Sequence, residues 1–300
     1  MRPNIVTLIA AGALILLGAF AISLAPDANA QAAESPAPQT LQTLQATPAP
    51  PRPTSATTSA TERLAVMRRR GEMLVCIWPE YYAISWRNPR TGELEGLDVE
   101  MAQLFAVRLG LPLRFVETNF VEFADRLEKG DCDIAMMGVG VTAERAARMA
   151  FSKPYLSSSV YAVTTRENPR VGSWADLDRA GNVVAVAAGT FMEGLMRDTL
   201  TAAELLVVQQ PATREAEVLA GRADAFMSDY PYTRRMMENN PWARVLSPPG
   251  RFGDTLYAYA VARQERAWLE EVNAFLAAAK MDGSLARIAA RYALTPIVMY

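Results

Sequence analysis

The stretch LEKGDCDIAMMGVGVTAERAARMAFSKPY, Leu127 to Tyr155, holds a helix end, a strand, a loop and a short helix in one run. Gly130 closes the amphipathic segment 121–130, and Cys132 to Gly138 is apolar and strand-like. The loop reads Gly-x-Gly-x-x-Ala from Gly138 to Ala143, which meets the loose form of the dinucleotide fingerprint. The residues behind the loop argue against a nucleotide. Thr142 reads as an N-cap, and the helix after it has room for about two turns before Pro154 bars continuation. A dinucleotide fold needs a long crossover helix and an acidic residue at the end of the next strand, and the next extended segment, SSVYAVTT, ends without one. A strand end that becomes a helix start still offers backbone N–H groups to an anion. With Arg145 behind it, the loop reads as half of a carboxylate clamp.

Outward from this stretch, strands and helices alternate. MLVCIW (73–78), DVEMAQLFAVRLG (98–110), LRFVET (113–118) and VEFADRLEKG (121–130) precede CDIAMMG (132–138) as β, α, β, α, β. That order calls for a parallel sheet with helices on its faces. It then repeats: SWADLDRAG (173–181) as a helix, NVVAVAAG (182–189) as a strand, FMEGLMRDTL as a helix, ELLVVQ (204–209) as a strand, TREAEVLAGR as a helix and ADAFMSD (223–229) as a strand, with a helix starting near Pro231. Between the two units lies SSVYAVTTRE, and after the second lies DTLYAYAVAR. Two extended crossings between two α/β units suggest a hinge. The chain closes with two helices, separated by Gly283 as a C-cap and Ser284 as an N-cap.

Composition narrows the chemistry. The 300 residues are 51% hydrophobic with a net charge of −2, so a sizeable core is available and no basic footprint for nucleic acid exists. Histidine is absent, which removes Ser-His-Asp and Cys-His nucleophiles, histidine general bases and histidine-containing zinc sites. Cys76 and Cys132 are too few for a four-thiolate metal site; they read either as a disulfide or as two buried thiols, the second being the plainer expectation. No metal or cofactor is expected.

The N-terminus reads as a targeting segment. Ile5 to Ala25 carries no charge, Arg2 precedes it, and Ala28–Asn29–Ala30 fits a cleavage site before Gln31. Residues 1–30 are therefore expected to be a signal peptide, with an uncleaved anchor as the alternative, since the run is long enough to span a bilayer. No cysteine lies near its end, which argues against lipid anchoring. Residues 31–60 are rich in Ala, Pro, Thr, Ser and Gln and read as a spacer. The expected location is the periplasm.

Over about residues 63 to 294 the chain resembles the extracellular solute-binding proteins of family 3, the polar amino-acid-binding components of ABC importers. The matching blocks, in the family's order, are GELEGLDVEMAQLFAVRLG, the opening stretch Leu127–Tyr155, AAGTFME, ADAFMSD and AKMDGSLARIAARY. The resemblance implies an α/β fold of the two-lobed, type II periplasmic-binding-protein class, with two Rossmann-like lobes joined by a two-strand hinge. Lobe 1 would comprise residues 61–165 plus 258–300, and lobe 2 residues 166–257. It also implies a monomer that binds a small solute and serves a membrane ABC permease.

The same resemblance assigns roles. An α-amino acid needs a cation for its carboxylate, an anion for its ammonium and a pocket for its side chain. Arg145 occupies the carboxylate position, beside the backbone of Gly138 and Gly140; otherwise it is a helix arginine paired with Glu144. Asp229 occupies the ammonium position; otherwise it caps the next helix. Thr190 would offer a hydroxyl and an N–H, and Tyr81 and Phe120 would sandwich the ligand or else fill the core. Three positions depart from the family: Gly140 stands where a threonine is usual, Trp78 where a polar or acidic residue is common, and Phe191 where a small polar one is. Those changes make the pocket less polar, so either the ligand is less polar than a basic or amide amino acid or it is not an amino acid at all; a small aliphatic or aromatic carboxylate would suit Arg145 with Trp78 and Phe191. Two other functions fit the scaffold. One is a cyclohexadienyl (arogenate/prephenate) dehydratase, for which only Glu193 stands near the second-lobe loop as an acid. The other is a membrane-tethered sensory domain.

Overall fold

The computed structural model describes residues 60–300. The leader and nearly all of the spacer lie outside the described residues. Two five-stranded sheets carry the chain, and they repeat one plan. In the first, the order is Leu113–Glu117, Met73–Ile77, Ile134–Ala135, Ala260–Ala262, Met149–Phe151; the first three are parallel and the last two antiparallel to their neighbours. In the second, the order is Glu204–Val208, Val183–Ala187, Ala225–Asp229, Val160–Thr165, Ala243–Leu246, again with three parallel strands and two antiparallel. The central strands Met73–Ile77 and Ala225–Asp229 are buried along their whole length, as strands covered by helices on both faces must be. This is the two-lobed α/β architecture that the alternation of elements implies.

The crossings differ in detail from the sequence reading. Leu156–Ser158 pairs antiparallel with Thr255–Tyr257, and these are the two strands between the sheets. The rest of SSVYAVTTRE does not cross: Val160–Thr165, grouped with lobe 1 on the sequence, is a strand of the second sheet. The helix expected over 173–181 is a single 3-10 turn, Trp174–Asp176. Its aspartates compete for the backbone. Asp176 Oδ2 accepts the N–H of Gly172 and of Ser173, and Asp178 accepts the N–H of Thr201, Ala202 and Ala203.

Cys76 and Cys132 form a disulfide, their Cα atoms 5.6 Å apart, which corrects the expectation of buried thiols. Cys76 lies in Met73–Ile77, and Cys132 leads into the parallel neighbour Ile134–Ala135, so sheet pairing brings the two sulfurs together.

The first lobe takes elements from both chain ends. The helix Leu97–Leu109 stops at Gly110, which adopts the left-handed conformation (φ 65°) and returns its N–H to Ala106 and Val107. Its Phe105 stacks on Trp268 and Phe275 of the C-terminal helix Arg266–Met281. The helix Ala60–Arg70, which begins where the spacer was expected to end, is tied down by Arg63 and Arg70 on the buried Asp133. Among the described residues no helix is long and apolar enough to cross a membrane.

Candidate functional site

In an open α/β sheet, ligands bind outside the carboxyl ends of the parallel strands. Eight of the nine expected site residues lie at such an end, and Arg145 lies in the helix behind one of them. Trp78 and Tyr81 follow Met73–Ile77, Phe120 follows Leu113–Glu117, and Gly138 and Gly140 follow Ile134–Ala135. From the second lobe, Thr190 and Phe191 follow Val183–Ala187, and Asp229 ends Ala225–Asp229. Seven of the nine, all but Gly140 and Arg145, line one interlobe chamber. The chamber holds only about 20 Å³, little more than one water needs. It continues into an outer cleft of about 230 Å³ between Trp78, Phe120, Thr190, Arg214, Glu215 and Tyr232.

The chamber is small because the lobes meet directly. Asp229 is buried, and its Oδ2 accepts the hydroxyl of Tyr257 at 2.6 Å and that of Tyr81 from the other lobe. Its Oδ1 accepts the Tyr232 N–H at 3.3 Å, so the residue also caps Tyr230–Asn239. Burial raises its carboxyl above the usual carboxylate range, against the pull of those hydrogen bonds. Gln210 Nε2 donates across the cleft to Glu80 at 2.7 Å, and the guanidinium of Arg235 lies 5.1 Å over Tyr82 and 4.9 Å over Trp86.

Arg145 is 9% exposed and forms no ion pair among the described residues. It donates to the Gly140 carbonyl at 2.9 Å and, across the lobes, to the Gly189 carbonyl at 2.7 Å. Its guanidinium lies 5.2 Å over Phe120 and 5.4 Å over Phe123. Burial lowers its pKa to about 10, which still leaves it charged at neutral pH. It belongs to a six-residue helix, Ala143–Arg148, capped by the Thr142 hydroxyl, the short helix expected in place of a nucleotide-binding one. It lines a neighbouring cavity with Phe123, Thr142 and Thr255, which shares Phe120, Thr190 and Phe191 with the chamber.

The loop's polar groups are largely committed. The Gly138 N–H donates to Asp98 at 2.7 Å, and the Val141 N–H to Leu256. Gly138 has φ +62°, and a Cβ there would lie 2.7 Å from Tyr81 Cε1. Thr190 turns both its hydroxyl and its N–H onto the Ala187 carbonyl rather than into the chamber.

Gly140 and Phe191 explain each other. A Cβ on Gly140 would stand 3.0 Å from Phe191 Cδ1 and 2.9 Å from Thr255 Cγ2. The ring of Phe191 thus takes the space that a threonine at 140 would use. The two departures noted in the sequence meet at one point in the cleft.

Trp78, Tyr81 and Phe120 form an aromatic cluster with centroids 5.2 to 6.2 Å apart. The Trp78 Nε1 is buried and has no hydrogen-bond partner among the described residues. Two site residues lacked a sequence signal. Tyr257 reads as one more aromatic in a strand. Arg214 reads as an ordinary helix arginine, yet it is buried, donates to the Met227 carbonyl at 2.7 Å, and lies 5.1 Å from the Phe226 ring centre and 4.9 Å from that of Tyr232.

Comparison with known proteins agrees with this arrangement. The family model for bacterial extracellular solute-binding proteins, family 3, matches residues 73–295. The cyclohexadienyl dehydratase of Pseudomonas aeruginosa is 30% identical over 224 residues, 74% of this chain and 83% of that protein. The ABC transporter glutamine-binding protein of Bacillus subtilis is 24% identical over 228 residues, 75% and 82% of the two chains. Among solved structures, the ancestral amino acid-binding protein AncCDT-1, a precursor of cyclohexadienyl dehydratase, superposes with a TM-score of 0.70 at 26% identity, over 76% of this chain and 98% of that one. Two lobes built on one strand plan, a cleft at their strand ends and a family match over nearly the whole described chain agree: the protein belongs to the bacterial extracellular solute-binding proteins, family 3.

Proposed function

We propose that the protein is the exported solute-binding component of an ABC importer, taking a small carboxylate between its lobes and presenting it to a membrane permease. The observation that carries this reading is Arg145: a buried guanidinium with no carboxylate partner among the described residues, whose hydrogen bonds go to two backbone carbonyls. A solute carboxylate offers a charge-assisted, two-pronged replacement for the Gly189 carbonyl. In the same way, a solute donor can replace the Tyr81 hydroxyl on Asp229. As the chain stands, the protein's own groups fill both recognition positions and hold the lobes together. A solute must then bind by exchanging those contacts, and the aromatic walls of Trp78, Phe120 and Phe191 favour one with an apolar body.

A second reading rests on the similarity to a cyclohexadienyl dehydratase. Dehydration needs a proton donor at the leaving hydroxyl. Glu193 does not serve: it accepts the Gly189 N–H and pairs with Arg197. Asp229, whose carboxyl burial raises above the usual carboxylate range, is the group that would act.

A thermal-shift screen of amino acids and small organic acids, run beside a prephenate turnover assay, separates the two. A solute at about 100 times its Kd stabilises the folded state by roughly 2.7 kcal/mol. Stabilisation without turnover is expected. Turnover that depends on Asp229 would replace the transport reading with the enzymatic one.

A further inference from the structure

We propose that Arg235, Tyr82 and Trp86 form a gate on solute exchange: a contact between the lobes, outside the cleft, that breaks whenever the solute enters or leaves and that the solute never touches. The gate rests on the solute-receptor reading above for its effect on solute rates. Its effect on the free protein does not depend on that reading.

The same two elements meet at two depths. The helix Tyr230–Asn239 starts at its cap Asp229, which accepts the Tyr81 hydroxyl in the buried interior. Further along that helix, the Arg235 guanidinium lies 5.1 Å over Tyr82, the residue after Tyr81, and 4.9 Å over Trp86. All three of these side chains are half-buried. The two rings meet edge to face at 5.3 Å. Their seat is firm. Trp86 lies in the middle strand of the meander Glu80–Tyr81, Ser85–Arg87, Leu94–Glu95, paired with Glu80 on one side and Glu95 on the other. Ser85 beside it donates its hydroxyl to the Trp78 carbonyl at 2.8 Å. On the helix, Arg234 pairs with Glu238 at 2.6 Å, whereas Arg235 is in no ion pair among the described residues. Its charge is committed to the two rings of the other lobe.

None of the three residues lines the chamber or the outer cleft. A solute that takes the place of Tyr81 on Asp229 therefore leaves this contact intact. The contact is present in the closed form with and without solute, and it is lost when the lobes part. An interaction equal in two states shifts no equilibrium between them. It stabilises the free closed form and the bound closed form alike, so it slows opening in both without setting affinity. A cation over two partly exposed rings amounts to about 5- to 30-fold in an equilibrium constant.

Stopped-flow tryptophan fluorescence of the full exported chain tests this, with L-glutamine, L-phenylalanine and phenylacetate as probes. Arg235→Met keeps an unbranched stem and removes the charge. For every probe that binds, kon and koff should rise together by about 5- to 30-fold, while Kd stays within about threefold of wild type. Arg235→Lys keeps a cation and should stay nearer the wild-type rates. Melting curves check that both variants fold. Small-angle X-ray scattering of the free protein gives a readout without solute. In a Tyr81→Phe background, where the inner contact is weakened, Arg235→Met should enlarge the radius of gyration further. Unchanged rates overturn the gate, and so does a weaker Kd with kon unchanged, the mark of a direct solute contact. If no probe binds the wild-type protein, the receptor reading loses its support and scattering alone decides the gate: an unchanged radius overturns it.

Discussion

Gly140 and Phe191 give a quantitative test of how the lobes fit. In Gly140→Thr, the new Cβ would meet Thr255 Cγ2 at 2.9 Å and Phe191 Cδ1 at 3.0 Å. Carbon pairs prefer about 3.5–4.0 Å. Gly140 is not in the left-handed region, so the cost is overlap and not backbone strain. Overpacking of this kind costs about 1–3 kcal/mol. Phe191 belongs to the second lobe, so parting the lobes relieves the overlap with its ring. Only the Phe191 share of that energy is relieved on opening, so we expect the closed-to-open ratio of the ligand-free protein to fall by at most about 150-fold, the equilibrium equivalent of about 3 kcal/mol. Small-angle X-ray scattering should show a larger radius of gyration, and urea denaturation a lower stability. Phe191→Ser should open the space, so the double variant Gly140→Thr/Phe191→Ser should recover at least about 1 kcal/mol relative to the sum of the singles. Additivity within about 0.5 kcal/mol would refute the claim that one side chain replaces the other. The double variant also regains a hydroxyl beside Arg145 and should bind carboxylates more tightly.

Other consequences rest on contacts away from this pair. The Cys76–Cys132 disulfide closes a sequence separation of 56 residues, and its removal in Cys76→Ala/Cys132→Ala should cost about 4 kcal/mol in urea denaturation on the chain-entropy estimate; a cost below about 1 kcal/mol would show that it contributes little. Burial raises the Asp98 carboxyl to about 7, although Tyr155, Tyr259 and the Gly138 N–H all donate to it. Because the folded value lies above the unfolded one, the native state holds the proton more tightly. Its stability contribution is full below pH about 4 and is lost as pH rises through about 7, by roughly 4 kcal/mol at most. Melting curves from pH 4 to 8 should therefore fall more steeply for the wild type than for Asp98→Asn, and parallel curves would contradict this. Tyr81→Phe removes one of the two hydroxyls on Asp229 and an interlobe bond, worth about 1.5–3 kcal/mol for a charged acceptor. It should open the ligand-free protein in scattering, and an unchanged radius would show that the lobes are held together elsewhere.

Periodicity and punctuation made most of the fold legible. Gly110 and Gly130 both close helices where the sequence places those ends, and Thr142 and Asp229 both cap the helices that come after them. What was hidden depends on distant partners. The sequence reading could not divide SSVYAVTTRE between a crossing and a sheet strand, since both states are extended. The three-stranded meander Glu80–Tyr81, Ser85–Arg87, Leu94–Glu95 is too short to show a period. The cysteine pairing depends on which strands are neighbours. In the site, residue types and positions at strand ends were readable, but the commitments of their polar atoms were not. Thr190 turns inward onto Ala187, the Gly138 N–H goes to Asp98, and Asp229 holds two tyrosines. Arg214 became visible only when folding placed Phe226 and Tyr232 around it.

The most direct test of the proposed carboxylate clamp is calorimetric titration of the strongest-binding acid from the screen into wild type, Arg145→Lys and Arg145→Ala. A charge-assisted contact is worth about 1.5–3 kcal/mol, so we expect Arg145→Ala to lose roughly 10- to 150-fold in affinity. Arg145→Lys should fall between, because it keeps the charge and loses the fork. Equal affinity in all three proteins would contradict the assignment of Arg145 as the carboxylate anchor.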